Sequence, residues 1–173
     1  MVGEHLSPEF SEFAQLARYG ISHENGQLSV ASKPGGEIRY GIHASSSGQW
    51  VLTRAERSEE YEHLMSAVSL VDIERMLTTL VGTDARARLG LPHLARPFSP
   101  SQTVGGLRVQ STPQGTFSLV QADGTVLNIA FAREYGGSGA AGFSQVAGLS
   151  LQQIRDGFLQ PDGGSIPPVP RSH

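Results

Sequence analysis

The sequence predicts a single α+β domain: a largely antiparallel sheet with an N-terminal helix, a long central helix and a short C-terminal helix. Two observations carry this reading. Stretches of helical periodicity are separated by two groups of short alternating segments, each split by glycine-rich turns. Strands and helices come in runs and not in strict alternation, which favours antiparallel pairing over a doubly wound parallel sheet.

Each element has a local reason. Residues 7–19, SPEFSEFAQLARY, open with Ser7 as N-cap and Pro8 at the first helical position; Phe10, Phe13, Ala14 and Ala17 mark one face, and Gly20 is the expected stop. The period then falls to two. Residues 27–32, 37–44, 49–55 and 61–68 read as a four-strand meander, with Ile38, Tyr40, Ile42, Trp50 and Leu52 on its core face. Ser69 caps a second helix directed toward Gly82, and 83–92, TDARARLGLP, either continues it or opens a short helix capped by Thr83. A polar link over 93–102 leads to strands at 106–112, 115–122 and 125–133, joined by P-Q-G and A-D-G-T turns. A glycine-rich loop comes next, then a helix over 151–159 capped by Ser150. The domain spans 1–160, and 161–173 reads as a flexible Pro/Gly tail.

Composition removes several functions. With no cysteine, disulfides, thiolate metal sites and cysteine nucleophiles are excluded. The opening MVGEHLSPEF does not read as a leader, and no run approaches a membrane span, so a cytoplasmic protein without a membrane partner is expected. Net charge is −3 and Lys33 is the sole lysine, so no basic stripe is available for nucleic acid. Twelve of the sixteen acids lie at or before Asp84, concentrated in 56–62, ERSEEYE. That run is either a solvated face or a surface that meets a basic partner.

The run 134–145, EYGGSGAAGFSQ, contains a literal G-x-G-x-x-G. A dinucleotide fingerprint must follow a strand, open a helix and be succeeded by further parallel units. Only the first condition is met, because Gly148 and Ser150 interrupt the residues after Gly142 and little chain remains. A small NAD- or nucleotide-binding protein using this run is the competing reading. The six histidines form no metal-ligand spacing, although His43 and His63 could face one another if their two strands are neighbours. No serine stands in a nucleophile motif, and Glu60 with Glu62 reads as a solvated strand face before an acid–base pair. No catalytic residue, no metal site and no cofactor is expected.

The segments 10–22, FSEFAQLARYGIS; 35–42, GGEIRYGI; 50–62, WVLTRAERSEEYE; 70–82, LVDIERMLTTLVG; and 86–94, RARLGLPHL, resemble the actinobacterial immunity proteins of polymorphic toxin systems. Among these is the immunity factor for tuberculosis necrotizing toxin, an NAD glycohydrolase. The likeness extends over residues 8–132. It implies a cytosolic, non-enzymatic antitoxin that binds one toxin domain and occludes its NAD cleft. Physical reasoning then places the interface. Glu134, Tyr135, Gly136, Gly137, Ser138, Gly139, Ala140, Ala141, Gly142 and Phe143 are expected to form a plugging loop, with Tyr135 and Phe143 as aromatic anchors. Glu56, Glu59 and Glu60 supply steering charge. A bulky residue at Gly139 is then expected to abolish inhibition and spare the fold.

Overall fold

The computed structural model describes residues 5–24, 26–57 and 59–169. The leader reading at 1–4, Asn25 of the first turn, Ser58 of the acidic run and the tail end 170–173 lie outside the described residues. The elements run α1 (Pro8–Leu16), β1 (Tyr19–Glu24), β2 (Gln27–Ser32), β3 (Ile38–Ala44), β4 (Trp50–Glu56), β5 (Glu62–Ala67), α2 (Leu70–Arg88), β6 (Arg108–Ser111), β7 (Phe117–Val120), β8 (Ile129–Phe131), α3 (Gly136–Ser144) and α4 (Leu151–Leu159). All eight strands join one sheet in the order β1-β2-β3-β4-β5-β8-β7-β6, with every named pair antiparallel. The predicted α+β class is therefore the observed one.

The two strand groups meet where β5 pairs with β8, matching Met65 to Phe131 and Ala67 to Ile129. One face of the sheet is the core face. Tyr40, Ile42, Leu52, Met65 and Phe131 lie on it, packed with Ile73, Met76, Leu77 and Val81 of α2. Phe10 and Phe13 of α1 and Phe158 of α4 extend the same core, and Phe143 of α3 sits 5.7 Å from Phe131, ring centre to ring centre. Ile38 and Trp50, expected on this face, pack against it half-buried.

Several local expectations are corrected. Ser7 caps α1 as expected, its Oγ accepting from Phe10 N at 3.2 Å, but the helix ends at Ala17 and Arg18 takes φ 60°. Gly20, expected to stop α1, instead lies in β1, a strand that its Gly-Ser-His composition hides from periodicity. α2 runs nineteen residues through Gly82 without a second cap. It tolerates glycine there because a Cβ would lie 2.5 Å from the Phe158 ring, so the position serves close helix packing.

The glycine run is a helix, not a loop. α3 carries Gly136, Gly137, Ser138, Gly139, Ala140, Ala141, Gly142 and Phe143, and from Gly139 to Phe143 every residue is buried. Each helical glycine costs about 1 kcal/mol against alanine, so propensity alone opposes this element. Burial offsets it: Ala140, Ala141 and Phe143 are at most 1% exposed, and burying a phenylalanine contributes roughly 1.5–3 kcal/mol. The glycines allow close approach. A Cβ on Gly137 would stand 2.6 Å from Pro100, and one on Gly139 would stand 2.3 Å from the Tyr135 ring.

The described part of the tail, 161–169, also packs on the domain. Ile166 joins the core, and Gln145 Nε2 donates to Ala95 O at 3.2 Å and Pro167 O at 2.8 Å.

Candidate interaction site

The helical state of α3 redraws the expected plug. Gly139, Ala140, Ala141, Gly142 and Phe143 present no surface, being buried against the sheet and the 93–102 link. Phe143, 1% exposed, is a core residue and not an anchor. Glu134 and Ser138 are exposed, while Tyr135, Gly136 and Gly137 are half-buried. The accessible part of the run is thus the turn Glu134–Ser138 at the start of α3. Its Gly136 turns the chain at φ 61°, a value glycine adopts without penalty.

The fold brings this turn beside the acidic hairpin. Glu134 and Tyr135 line a crevice of about 220 Å³ together with Tyr40, Arg54, Glu62 and His63, floored by Leu64 and Leu80. Residues distant in sequence meet here because β5 pairs with β8 and the chain leaves β8 directly into α3. Glu56, Glu59 and Glu60 are all exposed at the same end of the sheet, and Glu56 forms an ion pair with Arg54. The expected acidic patch and the surviving part of the expected plug are therefore neighbours.

Two arginines that sequence reasoning missed stand beside the tyrosines of the crevice: Arg54 lines it and Arg96 neighbours Tyr135. Tyr40 and Arg54 are cross-strand partners on the core face. Burial pushes the Tyr40 phenol up to about 12, and the adjacent Arg54 guanidinium pulls against that rise. Burial likewise raises Tyr135, opposed by Arg96 and Arg54. Both phenols are thus neutral at physiological pH and held beside cations. A sequence signal existed for Arg54: it continues the alternation of Trp50 and Leu52, which places a charge in register with a core face. Arg96 lay in a link with no periodicity to read.

Glu62 and Glu134 line the crevice with His63, whose Nε2 is 2.9 Å from Ser66 Oγ. His43 and His63 do not face one another, because β4 separates their strands and pairs His43 with Val51 and His63 with Thr53. Among the described residues no group of three or more metal-ligating side chains occurs. The crevice is smaller than the roughly 300–1,000 Å³ of small-molecule pockets. α3 leads into α4 and not into a parallel strand, so no dinucleotide crevice of the doubly wound type forms at GSGAAG. Among the described residues no helix is long and apolar enough to cross a membrane.

Similarity to known proteins agrees with this geometry. The chain is similar in structure to Rv3902c from M. tuberculosis, with a TM-score of 0.80 and 23% sequence identity, over 96% of this chain and 95% of that one. That likeness establishes the shared fold. Among curated proteins, none matches this chain. The family model described as Immunity protein 61 matches residues 13–166, which takes in every strand from β1 to β8 and all the residues of the crevice. This chain is a member of the immunity protein 61 family.

Proposed function

We propose that the protein is an antitoxin that binds an NAD glycohydrolase toxin domain in the cytosol, one to one, and blocks the toxin's NAD-binding cleft without chemistry of its own. The observation that carries the antitoxin reading is membership of an immunity protein family over nearly the whole chain. The resemblance of the α1, β3, β4 and α2 segments to the immunity factor of an NAD glycohydrolase supports the choice of target.

In this reading the turn Glu134–Ser138 and the crevice beside it face the toxin. Tyr135 and Arg54 are residue types that dominate binding energy when desolvated at an interface. Glu56, Glu59, Glu60 and Glu134 accelerate encounter with a basic rim of the cleft, an effect that weakens as salt screens it. The buried stretch Gly139–Phe143 supports the turn from behind and makes no contact with the partner.

The test is NAD consumption by a purified NAD glycohydrolase toxin domain titrated with this protein, with the protein alone as control. Loss of activity that reaches completion near equimolar protein is the expected result. Glu134→Arg is expected to slow association and Tyr135→Ala to raise the concentration for half inhibition about tenfold or more, as for an interface anchor. Full toxin activity in the presence of excess protein would refute the target, and unaltered inhibition by both variants would remove this turn from the interface.

A further inference from the structure

The link between α2 and β6 runs back along α3 and reaches the turn Glu134–Ser138. Arg96 Nη2 stands 3.5 Å from where a Cβ on Gly142 would be, and Pro100 stands 2.6 Å from where one on Gly137 would be, so link and helix lie side by side in opposite directions. The Arg96 guanidinium also neighbours Tyr135. Between these two contacts the link carries Phe98, 74% exposed and the most exposed large apolar side chain among the described residues. Val68 and Val126, next in exposure, lie at the opposite end of β5 and β8 from Glu134.

The backbone under this exposed ring is held. Pro97 is buried, and the Phe98 amide donates to Oε1 of the buried Gln102 at 3.1 Å. Ser99 is extended, with φ −130° and ψ 145°, and its Oγ accepts from Ser101 N to cap the short 3-10 turn Pro100–Gln102. Both ends of the link are tied to the end of α3: Gln145 Nε2 donates to Ala95 O at 3.2 Å, and Val104 N donates to Ser144 Oγ at 3.0 Å. Pro97 and Pro100 fix their own φ and restrict the residues before them, which leaves the link little freedom to lose. An aromatic ring in water forgoes the stabilisation of burial, and a fixed backbone cannot fold it away. Its chain neighbours Arg96, Ser99 and Ser101 are polar, and an apolar centre with a polar surround is the anatomy of a protein–protein contact.

We propose that Phe98 is the aromatic anchor of the toxin contact, entering an apolar recess of the toxin next to the part that meets Tyr135. The proposal rests on the antitoxin reading above and extends its surface from the turn onto the 96–100 link. Continuity assigns the ring to the toxin: Arg96 and Pro100 pack on the turn and on α3, so a partner seated on Glu134–Ser138 meets the link as well. Phe98 takes the role that the sequence pattern gave to Phe143, a residue the core has absorbed. Pre-organisation gives the contact its strength, because a phenylalanine has only two side-chain torsions and its backbone here is fixed before binding.

The experiment titrates the same NAD glycohydrolase toxin domain with wild type, Phe98→Ala, Phe98→Leu and, as a distant exposed control, Val126→Ala; surface plasmon resonance reads the rates. Each variant is expected to melt within about 2 °C of wild type, as for any exposed side chain. Phe98→Ala is expected to raise the half-inhibiting concentration about ten- to a hundredfold, the equivalent of leaving one phenyl ring unburied. Phe98→Leu raises it less, and Val126→Ala leaves it unchanged. The loss lies in faster dissociation with a nearly unaltered association rate, since no charge changes. Inhibition and dissociation by Phe98→Ala equal to wild type overturn the anchor and leave the antitoxin reading standing. Absence of inhibition by wild type overturns both. Light scattering adds one further outcome: a wild-type dimer that Phe98→Ala converts to monomer would assign the ring to a second copy of this chain and overturn the toxin contact.

Discussion

Replacing Arg86 by methionine tests how the C-terminal third of the chain is held. The side chain is 1% exposed, and it donates from Nε to Pro92 O at 2.7 Å, from Nη1 to Phe158 O at 3.0 Å and Gln160 O at 2.6 Å, and from Nη2 to Pro161 O at 2.9 Å. Phe158 and Gln160 lie at the end of α4, where a helix leaves carbonyls unpaired and its dipole favours a cation. Burial pulls the Arg86 pKa down, so part of the interaction is spent on desolvating the charge. Methionine has similar length and no donor, and would strand those carbonyls away from water. A hydrogen bond to a charged group contributes roughly 1.5–3 kcal/mol, and relief of desolvation reduces the total, so we expect a loss of about 4–5 kcal/mol. In a chain of this size 1 kcal/mol moves the melting temperature by about 2–4 °C, which puts the variant about 8–20 °C below wild type. Urea unfolding and calorimetry read the two quantities independently. Arg86→Lys keeps the charge but reaches fewer carbonyls, and falls between the two. An Arg86→Met variant within about 1 kcal/mol of wild type would refute the argument that these bonds tie α2, α4 and the following segment together.

Three further outcomes are expected. Gly139→Ala gains about 1 kcal/mol in helix propensity and loses about 1–3 kcal/mol by overpacking against the Tyr135 ring, so it lowers the melting temperature. The loss disappears when Tyr135→Ala is added, and a single Gly139→Ala that melts higher than wild type would contradict it. Glu74, buried beneath the Ser7 amide that donates to it, has its pKa raised by burial. A raised folded value means the native state prefers the proton, so this stabilisation is complete below the ordinary glutamate range and is lost as pH rises through the folded value. Glu74→Gln therefore gains stability relative to wild type on going from acid to neutral pH, and the opposite trend in paired urea titrations would refute the sign. Ser150→Ala breaks the reciprocal capping box with Gln153 and costs about 1 kcal/mol, visible in urea unfolding; an unchanged midpoint would mean that Ile154 and Phe158 alone hold α4.

The legible parts of this fold are those fixed by local chemistry. β2 follows its alternation residue for residue, and Ser7, Ser69 and Ser150 cap the helices they were expected to cap. β1 escaped because edge strands bury little, and a Tyr-Gly-Ile-Ser-His run carries no clear two-residue period. In the site, the acids and the Glu134–Tyr135 pair were readable as residue types, while the crevice that joins them depends on β5 pairing with β8, a contact no local pattern encodes.

Short-range spacing and composition suffice for the fold class, the helix caps, most strand positions, the absence of cysteine chemistry and the resemblance to an immunity family. The fate of the glycine run needed the packed molecule. Propensity makes GGSGAAG a loop, yet the Pro100 and Tyr135 side chains require the missing Cβ atoms at Gly137 and Gly139, and the sheet requires Ala140, Ala141 and Phe143. Packing energy over nine residues exceeds what the backbone loses in propensity, so a motif that suggests a phosphate loop becomes a buried helix.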